Sequence, residues 1–235
     1  MRNGRTIAAV IPALNEEQSI GRVLADIPGW VDDIVVVDNG STDQTARVAT
    51  RCGARVIREV RRGYGAACLA GLAALHEPAV VVFLDADYSD YPHEAARLVD
   101  PILNGTADLV IGSRTLGWRQ ARAMTWPAML GNRLACGLMR VLWRARYSDL
   151  GPFRAIRWKA LQSLHMQDRG YGWTIEMQIK AVRAGLRVRE IPVSYRPRIG
   201  QSKISGTLRG ILAAGAKILF TVAKHALSPP SRRTY

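Results

Sequence analysis

Two uninterrupted apolar runs, Ile34-Val35-Val36-Val37 and Val80-Val81-Val82-Phe83-Leu84, constrain this chain more than any other feature. A strand built from such a run has no polar face, so both of its sides must be covered, and helices are the usual cover. Helical patterns do fall between the runs. Residues 6–11, 34–37, 55–57, 80–84 and 109–111 read as strands, and residues near 17–26, 42–52, 66–76 and 94–103 as helices. This alternation predicts a doubly wound, mostly parallel α/β sheet with flanking helices. At 235 residues the chain is long enough for one such domain with an appendage and too short for two.

Beyond Gly117 the pattern changes. Residues 127–143 form an amphipathic stretch with Leu130, Leu134, Leu138 and Leu142 at four-residue spacing and Arg133, Arg140 and Arg144 nearby. A strand over 153–156, a helix over 173–183 and a β run over 188–195 follow, and Pro197, Gly200 and Gly206 then mark a loop. The last helical pattern places Leu208, Ile211, Leu212, Ile218, Leu219 and Val222 on one side, with Arg209, Lys217 and Lys224 among its charged positions. Such a C-terminal amphipathic helix can lie in a membrane interface, or pack on the core or on a second copy. The organisation expected is one domain over residues 1–206 and an amphipathic, membrane-associating helix with a tail over 207–235.

The net charge of +14 is unevenly placed: residues 1–109 carry 10 Lys/Arg against 15 Asp/Glu, and residues 110–235 carry 23 against 4. An acidic half suited to a metal ion thus adjoins a basic half suited to phosphates or an anionic membrane. A basic nucleic-acid-binding protein is the reading of another class, but no recognition motif supports it and it gives the strand-end acids no purpose. Cys52, Cys68 and Cys136 lie far apart, which suits neither a disulfide framework nor a zinc knuckle and fits a reducing compartment. The apolar stretch after the basic first residues is broken by Pro12 and runs into Asn15-Glu16-Glu17, which suits no signal peptide. Lys217 divides the longest apolar tract, Gly210 to Ala223, so no membrane span is expected.

In open α/β sheets ligands bind beyond the carboxyl ends of the strands. Three polar clusters fall at such ends: Pro12-Ala13-Leu14-Asn15-Glu16-Glu17, Asp38-Asn39-Gly40-Ser41 and Asp85-Ala86-Asp87. Asp85 and Asp87 are two apart, so in an extended segment both carboxylates face one way and can share Mg²⁺ or Mn²⁺ with substrate phosphates. Asp38 suits hydrogen bonds to a base or ribose, or a helix cap, and Ser41 or Thr42 could cap instead. Gly63-Tyr64-Gly65 could admit close backbone approach to a ligand. There is no G-x-G-x-x-G, P-loop or G-x-S-x-G motif, which argues against a dinucleotide dehydrogenase, an NTPase and an α/β-hydrolase.

In order and spacing these pieces resemble family 2 glycosyltransferases, and within them the dolichyl- and polyprenyl-phosphate mannosyl- and glucosyltransferases. Gly112-Ser113-Arg114, Asp149-Leu150-Gly151-Pro152-Phe153-Arg154 and Arg198-Ile199-Gly200-Gln201-Ser202-Lys203 complete the resemblance over nearly the whole chain. It implies a GT-A fold with a nucleotide-sugar half over residues 1–116 and an acceptor half over 117–206. Pro12, Ala13, Asn15, Glu16, Asp38, Asn39, Gly63, Gly65, Asp85 and Ala86 would bind a UDP- or GDP-hexose, with Mg²⁺ or Mn²⁺ on Asp85 and Asp87. Arg114, Arg122, Arg198, Ser202 and Lys203 would bind the phosphate of a polyprenyl acceptor at the cytoplasmic face of a membrane, where the enzyme is peripheral.

A lipid phosphate is already ionised near neutral pH and could attack the sugar C1 without a base. A soluble or glycan hydroxyl, the alternative acceptor, would need one, and Asp149 and Glu176 are the carboxylates placed to serve or to orient. Two departures from the group stand out. Trp126 occupies the position four after Arg122 where a serine is common, and Ser89 stands two residues after Asp87, where many relatives have a metal ligand.

Overall fold

The computed structural model describes residues 1–200 and 208–227. The first three strands are β1 (Ile7–Ala13), β2 (Asp33–Asp38) and β3 (Arg55–Arg58), followed by β4 (Val80–Phe83) and β5 (Leu109–Ser113). With β6 (Arg154–Arg157) and β7 (Val188–Pro192) they form one seven-stranded sheet in the order β3-β2-β1-β4-β6-β5-β7. All neighbours are parallel except β6, which runs antiparallel between β4 and β5. This is a GT-A-like α/β sheet, and the expected doubly wound, mostly parallel architecture holds.

The helices are α1 (Ile20–Asp26), α2 (Thr45–Arg51), α3 (Tyr64–Ala73), α4 (Ala95–Leu103), α5 (Trp126–Trp143), α6 (Trp158–Ser163), α7 (Trp173–Arg183) and α8 (Leu208–Leu227). Alternate residues of each central strand go to opposite faces, as the period of two requires. Ile7, Ala9, Ile11, Val80 and Val82 pack with Ile20, Val23, Leu98 and Ile102 of α1 and α4. Ala8, Val10, Val81 and Phe83 pack with Ala67 of α3, Leu161 of α6, and Trp173 and Met177 of α7. Each fully buried Val, Ile or Leu contributes roughly 1.5–3 kcal/mol, so the apolar runs that define the pattern also supply the core.

Three elements depart from the expected layout. The β run over 188–195 ends at Pro192: Val193 still donates its amide to the Ser113 carbonyl (3.2 Å) and is buried, and Tyr195 then donates its amide to the Trp118 carbonyl (2.9 Å). Helix α6 was not expected, because its six residues are too few to show a period. On α5, Leu130, Leu134 and Leu142 point to solvent, while Asn132, Ala135, Cys136 and Met139 face inward. These inward residues meet Ile175 and Ile179 of α7 and Val222 of α8 in a third apolar cluster. Ile218 packs against this cluster and Leu219 is exposed. The side chains of Leu208, Arg209, Ile211 and Leu212, and all of Gly206, lie outside the described residues.

Candidate active site

Strand register brings the three acidic clusters to one edge: Ala13 pairs with Asp38, and Val10 pairs with Phe83, two residues before Asp85. The loops after β1 and β2 clasp each other. Asn15, in the left-handed region at φ 54°, donates its amide to Ser41 Oγ (3.0 Å) and accepts the Thr42 amide on Oδ1 (2.8 Å). The Glu16 amide donates to Thr45 Oγ1 (2.7 Å), and the Gln44 amide donates to Glu17 Oε2 (2.9 Å). Asp38 accepts the Ser41 amide (2.9 Å), while Asp43 accepts the Thr45 amide at the start of α2. Asp43, rather than Asp38, Ser41 or Thr42, therefore receives that first-turn donor. Asn39 bridges the Glu59 and Arg61 carbonyls and the Gly63 amide, which ties the β2 end to the α3 loop.

Asp87 is buried, and its Oδ1 accepts the Ser89 amide (2.9 Å) and hydroxyl (2.6 Å). Ser89 is thereby a support for Asp87. Burial, and then the charge of Asp87, push the Asp85 carboxyl up to about 7. Asp90 is raised as well, by burial first and then by Asp85 and Asp87, and its Oδ1 has no hydrogen-bond partner. Carboxylates crowded in this way are stabilised by a cation. A guanidinium meets part of that demand: Arg198 reaches Asp87 Oδ2 at 3.2 Å and Glu16 Oε1 at 2.6 Å. The residues fit a divalent ion that takes two protein carboxylates and completes its shell from a diphosphate and water. Among the described residues no group of three or more His, Cys, Asp or Glu side chains is gathered for a metal.

Across the edge, Arg114 follows β5. Its Nε and Nη2 donate to Asp149 Oδ2 (2.8 Å) and Oδ1 (2.7 Å), and its amide also donates to Oδ2 (2.8 Å). Asp149 is fully buried. Burial alone would raise its carboxyl, but the Arg114 fork and the backbone amides hold it below the usual range. Asp149 thus stands as an ionised, fixed anion that orients Arg114. The Arg114 guanidinium also lies 5.1 Å from the centre of the Tyr195 ring.

The other expected residues are dispersed. Glu176 is buried on α7, accepts the Gln167 and Asp168 amides and pairs with Lys180 at 2.7 Å, which leaves little of its carboxylate for a substrate proton. Gly63 and Gly65 do admit a close backbone approach, but the approaching backbone is the chain's own: the Gly65 amide donates to Gly170 O (3.2 Å) and the Ala66 amide to Arg169 O (3.0 Å). A Cβ on either glycine would collide with the Arg169 or Asp168 carbonyl. Pro12, Ala13 and Ala86 line the strand ends beside the acids, and Arg122 is exposed before α5 at φ 64°. Ser202 and Lys203 lie outside the described residues.

Sequence reasoning missed the clasp formed by Arg196. Its amide donates to Ser89 O (3.0 Å), its Nε to Tyr88 O (2.6 Å), and its guanidinium lies 3.3 Å from the centre of the Tyr88 ring. Tyr88 itself has φ 65°, a cost that a bulky residue bears only where its surroundings impose it. Glu190 was missed too. It sits on β7 and accepts the Ser148 and Asp149 amides, and beside Arg189 in the strand it reads as one of a pair of solvated charges, so no signal marked it.

A doubly wound sheet with Asp85 and Asp87 at its parallel-strand edge and the Arg114–Asp149 fork beside them is the arrangement that the resemblance to GT-A glycosyltransferases implies. The glycosyl transferase family 2 profile matches residues 8–163, and the chain belongs to that family. It is 42% identical over 214 residues to an uncharacterized glycosyltransferase of Mycobacterium tuberculosis, covering 90% of this chain and 95% of the relative. It is 34% identical to a dolichyl-phosphate hexose transferase of Haloferax volcanii, covering 94% of each chain. Among solved structures, glucosyl-3-phosphoglycerate synthase of M. tuberculosis, in complex with Mn²⁺, UDP and glucosyl-3-phosphoglycerate, superposes with a TM-score of 0.78 at 30% identity. The match covers 97% of this chain and 82% of that one.

Proposed function

We propose that this glycosyltransferase moves a hexose from a UDP- or GDP-sugar to a polyprenyl phosphate, with inversion, at the cytoplasmic face of a membrane. The observation that carries the reading is the division of the sheet edge: crowded acids at Asp85 and Asp87 on one side, and Arg114, fixed by Asp149, on the other. Asp85 and Asp87 would hold Mg²⁺ or Mn²⁺, and that ion would supply Lewis-acid charge compensation for the donor diphosphate. Pro12, Ala13, Asn15, Glu16, Asp38 and Asn39 line the nucleoside side. Arg114 faces the acceptor phosphate, whose oxygen attacks the anomeric carbon as the bond to the diphosphate oxygen breaks. Because Asp149 and Glu176 are already committed to internal donors, an acceptor that arrives ionised suits the site better than a hydroxyl.

The membrane surface is the basic half, here α5, together with the C-terminal helix α8, which exposes Leu219, Phe220 and Leu227. Trp126 is 82% exposed and Leu130 67%, and Leu116 and Trp118 in the preceding loop are exposed too. From residue 109 to residue 148 the chain has seven arginines and no acid. Exposed tryptophan and leucine among arginines suit an anionic interface. No helix among the described residues is long and apolar enough to cross a membrane.

The second reading is a soluble phosphorylated acceptor, favoured by the likeness to the phosphoglycerate-using structure. Labelled UDP- and GDP-sugars, with Mn²⁺ or Mg²⁺, offered undecaprenyl phosphate or 3-phosphoglycerate separate the two. Label extracted into organic solvent supports the first reading; label only in a water-soluble phosphorylated product overturns it for the second.

A further inference from the structure

Arg154 on β6 is fully buried, one of the largest side chains with no solvent contact. It pairs along the sheet with Phe83 of β4 and Ile111 of β5, and so stands in the middle of the sheet near its working edge. Among the described residues no carboxylate comes within ion-pair distance of it. Its donors go to carbonyls: Nε to Gly151 O (3.0 Å), Nη2 to Leu150 O (3.0 Å) and to Gly151 O, and Nη1 to Thr174 O (3.0 Å). Burial lowers the guanidinium to about 10, so it stays charged at neutral pH. An unpaired buried charge is a costly way to fill a core position that an apolar side chain would fill more cheaply.

What it holds is the turn that carries Asp149. The Asp149 carbonyl accepts Gln178 Nε2 (2.9 Å), the Asp149 amide donates to Glu190 Oε1 (3.1 Å), and the Leu150 amide donates to Asn132 Oδ1 (2.8 Å). Arg154 takes the two carbonyls that follow and ties them to Thr174 in the first turn of α7. A fork needs its partner held to a fraction of an ångström to be preorganised.

We propose that Arg154 is a positioning residue that fixes Asp149, and through it the Arg114 guanidinium, in the geometry required for transfer. The proposal rests on the reading that Arg114 contacts a substrate phosphate. A double-mutant cycle between Arg114→Lys and Arg154→Met tests the coupling whichever substrate Arg114 meets. The assay uses undecaprenyl phosphate or 3-phosphoglycerate, according to which accepts label. Each single variant is expected to lose at least tenfold in kcat/KM, and the double variant to be no worse than Arg114→Lys alone. Donor KM should stay within twofold of wild type in Arg154→Met.

Losses that multiply in the double variant, or a donor KM that rises in Arg154→Met while Arg114→Lys leaves it unchanged, overturn the proposal. If Arg154→Met does not fold, Arg154→Lys replaces it in the cycle and is judged the same way, because one ammonium cannot span three carbonyls. Hydrogen exchange without substrate gives an acceptor-independent reading. Residues 148–151 of Arg154→Lys should exchange at least tenfold faster than wild type while residues 33–51 are unchanged; equal protection at 148–151 overturns the proposal. Failure of Arg114→Lys to affect the acceptor would instead sink the reading of Arg114 and leave the cycle intact.

Discussion

The two sides of the sheet edge solve opposite electrostatic problems. Where β1, β2 and β4 end, carboxylates are crowded: Asp85 and Asp90 are both pushed up by burial and by neighbouring acids, and one arginine, Arg198, reaches in from a distant loop. Where β5 and β6 meet, arginines dominate, each already bonded to an anion or a carbonyl: Arg114 to Asp149, and Arg154 to Leu150, Gly151 and Thr174. On the reading proposed above, the first side takes an added cation with the donor diphosphate, and the second, already bonded internally, presents positive charge to the acceptor phosphate.

The largest effect that can break this comparison is expected from Asp87→Ala. It should lower metal-dependent donor turnover by about 10³-fold or more, the scale on which charge stabilisation of a leaving group acts. Melting within a few degrees of wild type would show that the fold survives. Near-normal turnover would mean that the acids are structural and that the two sides do not differ in kind.

Next comes Arg114, where the choice of variant matters. Arg114→Ala leaves Asp149 buried and unpaired, a change worth about 3–5 kcal/mol in stability, so Arg114→Lys is the cleaner probe. It keeps the charge and removes the fork, and it should raise the acceptor KM by about tenfold, close to the net worth of one charge-assisted hydrogen bond, with the donor KM unchanged. Steady-state kinetics with each substrate varied would show this. A rise in both constants would place Arg114 on the donor side.

The same division explains what could be read from the sequence. The donor side is laid out by parallel strands, whose apolar runs are visible and whose register carries Asp38 and Asp85 to one edge without further information. The acceptor side depends on β6 turning antiparallel into the sheet and on residues 194–198 leaving β7, and neither has a periodic signature. Hence Arg114 and Asp149 could be named from their motifs, but not the fork between them, nor the support from Glu190 and Arg154. The leucines of α5 show the opposite limit: their spacing was plain, yet spacing does not say whether a stripe faces core or solvent, and the small residues Ala135 and Cys136 take the inside.

A smaller effect should come from Gly65→Ala, which sharpens the boundary between the halves. A methyl there meets the Asp168 carbonyl, and backbone cannot yield as a flexible side chain can. Overpacking of this kind costs about 1–3 kcal/mol, and thermal melting would report it. A variant as stable as wild type would show that the 168–170 segment does not pack on α3 in solution.

The smallest effect concerns α5, and it decides whether the positive side faces a bilayer. If Trp126 and Leu130 enter the interface, Trp126→Glu and Leu130→Glu should each weaken binding to vesicles of mixed anionic and zwitterionic lipid several-fold. Each loses apolar contact and adds a charge that the surface repels. The nearby arginines contribute about 1 kcal/mol apiece at an anionic surface, so wild-type binding should fall as salt rises and be weaker on purely zwitterionic vesicles. Sedimentation with vesicles measures all three. The catalytic constants for a water-soluble phosphate acceptor should be unaffected by either substitution, because both positions lie on the solvent side of α5, away from Asn132, which reaches the Asp149 turn. Wild-type protein that ignores anionic vesicles would leave the exposed stripe without its proposed partner and would turn the acceptor side toward a soluble phosphate.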